Sequence, residues 1–278
     1  MNLLLVSIIC SVSVGILFKI KKFELNSFMW VLFCGYFTCF VLGYVLFEQP
    51  IELKNFAGLN IFFAFMLSFV MPSLFIVLRN SIQQNGIAKT DLVQRMSLML
   101  PIVASFFLFG EQFTWQKLIA LIVGFLSILL IMHKKSSSNI LPKDIYSLLY
   151  IFIGYGFVDI IFKNFAGIVF QNILMIVFMG CMISTLLYIL FKKIPFHKSF
   201  LLYGIILGGL NFLNIYTYLL AHRSLSESPT IVFTVMNLGV ISLGMLIGYF
   251  FFKEKINKIN IVGLLSAVIS ILLLANNL

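Results

Sequence analysis

Ten apolar runs of about twenty residues follow one another along this chain, and no polar interval between them is longer than 12 residues. They fall at 2–18, 27–47, 57–79, 88–110 and 116–132, then at 145–163, 168–191, 199–221, 228–252 and 258–275. Charged or turn-forming residues close each one. A helix needs about 20 mostly apolar residues to cross a hydrocarbon layer of about 30 Å, so the spacing predicts ten transmembrane helices. Composition agrees, because 62% apolar and 10% charged residues lie far outside the usage of a water-soluble domain. The expected class is an all-α membrane protein.

The longest polar interval, HKKSSSNILPKD at 133–144, reads as a linker between a first half, 1–132, and a second half, 145–278. The first run has no basic segment before it and no small-residue cleavage site after it, so it is expected to be a span rather than a removed signal. Cys10, Cys34, Cys39 and Cys181 all fall inside apolar runs, at spacings that suit neither a metal site nor a disulfide framework. Net charge is +10, but most of the basic residues lie between the runs or at their edges, which points to membrane topology rather than nucleic acid. Intervals after the odd-numbered runs, with the run edges beside them, hold fourteen Lys and Arg residues; the other side holds Lys54, Lys117, Lys163 and Arg223. The positive-inside rule then places both termini outside the cytoplasm.

The two halves repeat each other. Laying residues 106–130 over 249–273 sets Phe107 against Phe250, Phe109 against Phe252, Glu111 against Glu254 and Leu121 against Leu264. Ser-Ile-Leu-Leu is identical at 127–130 and 270–273, and VGILFK at 14–19 matches VDIIFK at 158–163. Five helices per repeat force the halves into opposite orientations, giving two inverted five-helix repeats. Inverted repeats of this kind build many secondary transporters, with a site near the membrane midplane.

Three phrases carry a family likeness: PIVASFFLFGEQFTWQKLIALIVG, VISLGMLIGYFFFKEKINKINIVGLLSA and ILGGLNFLNIYTYLLAHRSL. Together with the ten-helix layout they make the chain resemble an EamA-type member of the drug/metabolite transporter superfamily over essentially its whole length. The resemblance implies a gradient-driven carrier or exchanger of small metabolites, with a cavity lined by the first, third, fourth, sixth, eighth and ninth helices. It implies no particular substrate. It also implies cytoplasmic termini, opposite to the charge count, and both orientations stand at this point.

Arg95 sits inside the fourth run, where a charge at mid-helix costs about 2.5–3.5 kcal/mol and so tends to face a partner, a cavity or an interface. It either snorkels to the basic surface or pairs with Asp91, or it aims a guanidinium at a substrate carboxylate or phosphate. Asp159, near the end of the sixth run, either pairs with Lys163 or carries a coupling proton or a cationic group. The eighth run presents Gly204, Gly208, Asn211, Asn214, Tyr218 and His222 at helical spacing, and the ninth has Thr230, Thr234, Asn237, Gly244 and Gly248. Such stripes serve either a cavity or close helix packing. Asn211, Asn214, Tyr218 and Asn237 are the expected polar substrate contacts beside Arg95. Glu111 and Glu254 read as structural residues capping the helix that follows each, and Pro72 and Pro101 as kinks that packing or gating could use.

Neither catalytic residues nor metal ligands are expected: His133, His197 and His222 are scattered, and no HExxH, GxSxG or phosphate loop occurs. No cofactor is expected. The expected protein is a multi-pass carrier of a small metabolite in the inner or plasma membrane, working by alternating access and driven by protons or exchange. Its partners are a small-molecule substrate and the lipid bilayer, without nucleic acid, and a monomer suffices. An exporter of cationic drugs is the alternative; an intramembrane enzyme and a non-transporting scaffold have less support.

Overall fold

A computed structural model describes residues 2–21, 23–47, 58–85, 87–131, 142–166, 170–196, 198–253 and 257–275. Eleven helices run through these residues: α1 (Asn2–Ile20), α2 (Leu25–Leu46), α3 (Gly58–Asn85), α4 (Ile87–Met96), α5 (Met99–Phe107), α6 (Trp115–Ile131), α7 (Pro142–Ala166), α8 (Phe170–Phe191), α9 (Ser199–Ser224), α10 (Pro229–Phe252) and α11 (Lys258–Ala275). Six of them, α2, α3 and α7 to α10, contain stretches long and apolar enough to cross a bilayer. The bundle's outer face carries Phe107, Phe191 and Phe251, each about four-fifths exposed. An apolar surface this extensive is stable only where lipid covers it. The protein is an all-α membrane protein.

The fourth predicted span, 88–110, is two helices rather than one. Pro101 has no N–H to offer the carbonyl four residues back, that of Ser97, and the chain tightens there. Leu98 N donates to Arg95 O at 3.2 Å and Leu100 N to Ser97 O at 3.0 Å, both three-residue turns, before Ile102 N resumes helical bonding to Leu98 O. Pro72 has a different outcome, since α3 continues through it. The carbonyl it deprives belongs to Ser68, and the Ser184 hydroxyl of α8 donates to that oxygen at 2.7 Å. A polar side chain from a neighbouring helix thus replaces the missing bond. Replacing Ser184 with alanine is expected to cost about 0.6–1.7 kcal/mol, read as a lower thermal midpoint when a thiol-reactive dye follows exposure of the four buried free cysteines.

Helices meet where small residues let backbones approach. α2 crosses α9 at Gly35, whose added Cβ would stand 3.5 Å from Gly204 O, and α3 crosses α8 where Gly180 faces Ser68. α6 and α11 run antiparallel, with the Ser270 hydroxyl donating to Ala120 O at 2.7 Å and the Asn260 amide to Ile131 O at 2.6 Å at the end of α6. Further packing joins α1 to α9 and α10, α7 to α3, α4 and α5, and α2 to α8. Two ends result. One gathers the ends of α5, α7 and α9 with the starts of α6 and α10; Lys21, Arg79, Lys192, Lys193, Lys198, Lys253 and Lys258 belong to the other. Glu254, His133, His197 and most of the expected linker, 133–141, lie outside the described residues.

Candidate functional site

The break between α4 and α5 faces α7 at a glycine. A Cβ on Gly156 would stand 2.6 Å from Leu100 Cδ1, so only a bare backbone lets the broken strand of helix come so near. Arg95 occupies the last turn of α4, just before the break, where the helix dipole favours a cation. Asp159 lies on α7 one turn beyond Gly156, and the Arg95 charge acts on it. The side chain of Asp91 lies outside the described residues.

Asp159 takes its hydrogen bond from across the bundle, not from its own helix. The Tyr218 hydroxyl of α9 donates to Asp159 Oδ1 at 3.1 Å. Lys163, the partner expected one turn along α7, turns elsewhere: its Nζ donates to Ser226 O at 3.1 Å and lies 5.7 Å from the centre of the Phe109 ring. α9 therefore presents its stripe to several helices at once. Gly204 and Gly208 face α2, the Ser7 hydroxyl of α1 donates to Asn214 Oδ1 at 2.6 Å, Tyr218 faces α7, and His222 meets Phe233 of α10. The glycine end serves packing and the other end gathers polar groups. Asn211 is half-buried three residues before Asn214, and Asn237 of α10, also half-buried, donates to Phe233 O of its own helix at 3.1 Å.

A second polar cluster closes the bundle end nearest these residues. Glu111 Oε2 accepts from Thr230 N at 2.9 Å and from Thr230 Oγ1 at 2.6 Å, capping the first turn of α10. Its Oε1 is 2.9 Å from Lys117 Nζ, and Lys117 also donates to Gln112 O at 3.2 Å. The expected cap on the following helix, α6, is thus a cap on a helix of the other half. Thr114 supplies the local hydroxyl for α6 instead, accepting from Lys117 N at 3.2 Å. Lys117 was expected to serve topology alone, and Lys163 topology or a pair with Asp159, yet each is less than a tenth exposed. Local sequence gives no sign of this, because the partners that bury them come from distant segments. Ser7 was missed for the same reason.

A groove of about 400 Å³ between α3 and α7 is apolar, lined by Met66, Val70, Leu149, Ile153 and Phe157 with Tyr146 and Tyr150. It opens on the lipid-facing flank and includes none of Arg95, Asp159 or Tyr218. Among the described residues, no three His, Cys, Asp or Glu side chains gather to hold a metal ion.

These features define a class: a helical membrane protein with partly buried polar side chains between its helices and one interrupted helix among them. No family model matches the chain. An uncharacterized protein of Haemophilus influenzae is 33% identical over 282 residues, spanning 98% of this chain and 96% of its own length. The chain belongs to the family of that protein. A protein known from its crystal structure superposes with a TM-score of 0.74 at 12% identity, over 98% of this chain and 94% of its own, which is a likeness of fold.

Proposed function

We propose that this protein is a secondary active transporter of a small metabolite, built from ten spans as two inverted five-helix repeats that alternate access to a site between them. The observation that carries the reading is the interrupted helix, with Arg95 at the break and the Asp159–Tyr218 pair opposite it. Irregular backbone and ionisable groups at membrane depth are costly and mark solute pathways. The packing supports the repeat. Exchanging the halves turns α1 against α9 into α7 against α3, α2 against α9 into α8 against α3, and α1 against α10 into α7 against α4 and α5. Gly110 and Lys253, equivalent under the repeat, share a left-handed backbone, φ 65° and 53°, one residue before the matched glutamates. The EamA-type resemblance agrees with this reading.

In this mechanism Arg95 engages a carboxylate or phosphate on the substrate through paired hydrogen bonds. Asn211, Asn214, Tyr218 and Asn237 contact its polar groups, and Asp159 carries the coupling proton. The Glu111 cluster joins the halves at one end, so opening to that side breaks it. The basic end faces the cytoplasm of an inner or plasma membrane. One chain supplies both halves, so it works as a monomer. If the substrates are lipophilic cations, Asp159 is the binding charge and Arg95 its competitor.

The test is uptake of pooled amino acids, organic acids, nucleotide sugars and cationic dyes into proteoliposomes, with and without a pH gradient. Wild type is expected to move an anionic or zwitterionic solute in a gradient-dependent way. Arg95→Leu should lower that uptake by about tenfold or more, the loss of a charge-assisted bond worth ~1.5–3 kcal/mol. Uptake preserved in both Arg95→Leu and Asp159→Asn sinks both the anion and the cation versions.

A further inference from the structure

The groove of about 400 Å³ between α3 and α7 is space that the protein's own side chains leave unfilled. Met66, Val70, Leu149, Ile153 and Phe157 line it, and Leu149 and Ile153 are each about half exposed. Its floor is closed. Gly154 lets Leu74 of α3 lie against the α7 backbone, where an added Cβ would stand 2.6 Å from Leu74 Cδ2, and Leu74 itself is buried. The Ser73 and Tyr150 hydroxyls bond to each other across the seam at 2.6 Å, so Tyr150 offers little to a polar ligand. Apolar walls around such a void forfeit dispersion contacts unless a chain of matching shape enters it. In a bilayer that chain is hydrocarbon.

We propose that this groove binds one acyl chain of an anionic phospholipid from the leaflet at the basic end of the bundle. Length fixes the leaflet. The lining runs along α7 from Tyr146 to Phe157, about 16 Å of helix at 1.5 Å per residue, and one leaflet supplies half of a hydrocarbon layer of about 30 Å. α7 starts at the basic end, so the groove begins near that surface and ends near the midplane. Tyr146, about three-quarters exposed, stands at the mouth, where tyrosine suits the boundary between hydrocarbon and headgroup. Charge selects the headgroup. α8, which also packs on α3, ends on this side beside Lys192 and Lys193, both exposed, and near-surface cations attract anionic lipid.

The opposite seam shows what closure without lipid looks like. Under the proposed repeat a shift of 143 sets Ser7 against Tyr150 and Cys10 against Ile153, in the seam between α1 and α9. Each seam is crossed by a hydroxyl at the equivalent position, since Ser7 bonds to Asn214 at 2.6 Å as Tyr150 does to Ser73. Cys10, however, is buried, whereas its counterpart Ile153 stands half exposed in the groove. Protein side chains complete the first seam, and a lipid chain completes the second. α3 belongs to the first half and α7 to the second, so the chain packs between the halves. The inference rests on the carrier reading only for that assignment of halves; the groove and its length do not depend on it.

The experiment is photolabelling of the full chain in phosphatidylcholine nanodiscs that carry a trace of phosphatidylglycerol with a diazirine midway along one acyl chain. Proteolysis and mass spectrometry then locate the adducts. Label is expected on Met66, Val70, Leu149 and Ile153 in excess over Ile122 and Leu126 of α6, which are as exposed as Leu149 and Ile153. The same diazirine chain on a phosphatidylcholine headgroup should label the groove about fivefold less, the effect of one near-surface cation. Ile153→Trp should fill the groove and abolish the excess, with Leu149→Trp as a second filling variant, while Ile122→Trp on α6 should leave it intact. Added phosphatidylglycerol should also raise the thermal midpoint of wild type in detergent, a shift that Ile153→Trp loses. Groove label no stronger than label on α6, or an excess that survives both filling variants, overturns the proposal. Equal labelling by the two headgroups overturns the choice of an anionic lipid. The measurement needs no substrate. A lipid-filled groove in a protein that moves no solute would remove the carrier and keep the site, whereas transport with an unlabelled groove would do the reverse.

Discussion

Glu111→Ala is expected to cost the folded protein about 3–5 kcal/mol, because it strands a buried charge and uncaps a helix in one step. The carboxylate is buried and each oxygen has a separate duty: Oε2 holds Thr230 at the start of α10, and Oε1 pairs with Lys117 at 2.9 Å. Without it, Lys117 keeps only the Gln112 carbonyl, and the first N–H groups of α10 face a cavity. Lys117→Met should cost less, since the carboxylate retains both bonds from Thr230 and stays beside the positive end of the α10 dipole. Glu111→Gln should fall between them, keeping an acceptor for Thr230 while leaving the ammonium unpaired. Combining Glu111→Leu with Lys117→Leu should recover part of the loss seen in Glu111→Leu alone, because an ion pair removed whole is cheaper than one removed by half. Thermal unfolding in detergent, followed through the buried cysteines, reads all of these. Equal destabilisation by Lys117→Met and Glu111→Ala would show that the cap contributes nothing and the ion pair everything.

Six membrane-crossing helices are legible in the sequence because lipid sets a minimum length for each crossing, and a run such as 170–191 can satisfy its backbone in no other way. The break at Ser97 and Leu98 is not legible by that rule. Hydropathy registers side chains, and both sides of the break are apolar; only the missing N–H of Pro101 signals it. Pro72 carries the same signal with a different result, decided by a serine 112 positions away, at 184. The candidate site divides similarly. Arg95 and Asp159 stand out because each is a charge in an apolar run, whereas Ser7 and Lys163 take their significance from partners in other helices. Glu111 shows both effects. Its position after a turn identifies a cap, but the residue it caps lies 119 positions along the chain.

Gly208→Val tests whether the seam between α2 and α9 depends on backbone contact. A Cβ at Gly208 would run into the carbonyl oxygen of Gly35 and stand 3.0 Å from its Cα and 2.6 Å from Thr38 Cβ. Two of those atoms are backbone and cannot rotate away, so the helices must separate along the crossing. Separation also breaks the bond from the Cys39 thiol to Gly208 O, 3.2 Å long. Overpacking of this kind costs about 1–3 kcal/mol, and the upper end is expected where no side chain can yield. Gly209→Ala is the matched control. Its Cβ meets nothing within 4 Å, so helix propensity alone should apply, for a gain of about 0.5–1 kcal/mol. Opposite signs at adjacent residues of one helix would separate close packing from any general sensitivity of α9. The consequence extends beyond stability, because α9 carries Asn214, Tyr218 and His222 beyond this crossing. Pushing it away from α2 should lengthen the bond from Tyr218 to Asp159, and solute uptake should fall in Gly208→Val while holding in Gly209→Ala. Unchanged uptake in a destabilised Gly208→Val protein would show that α7, rather than the seam with α2, holds Tyr218 in place.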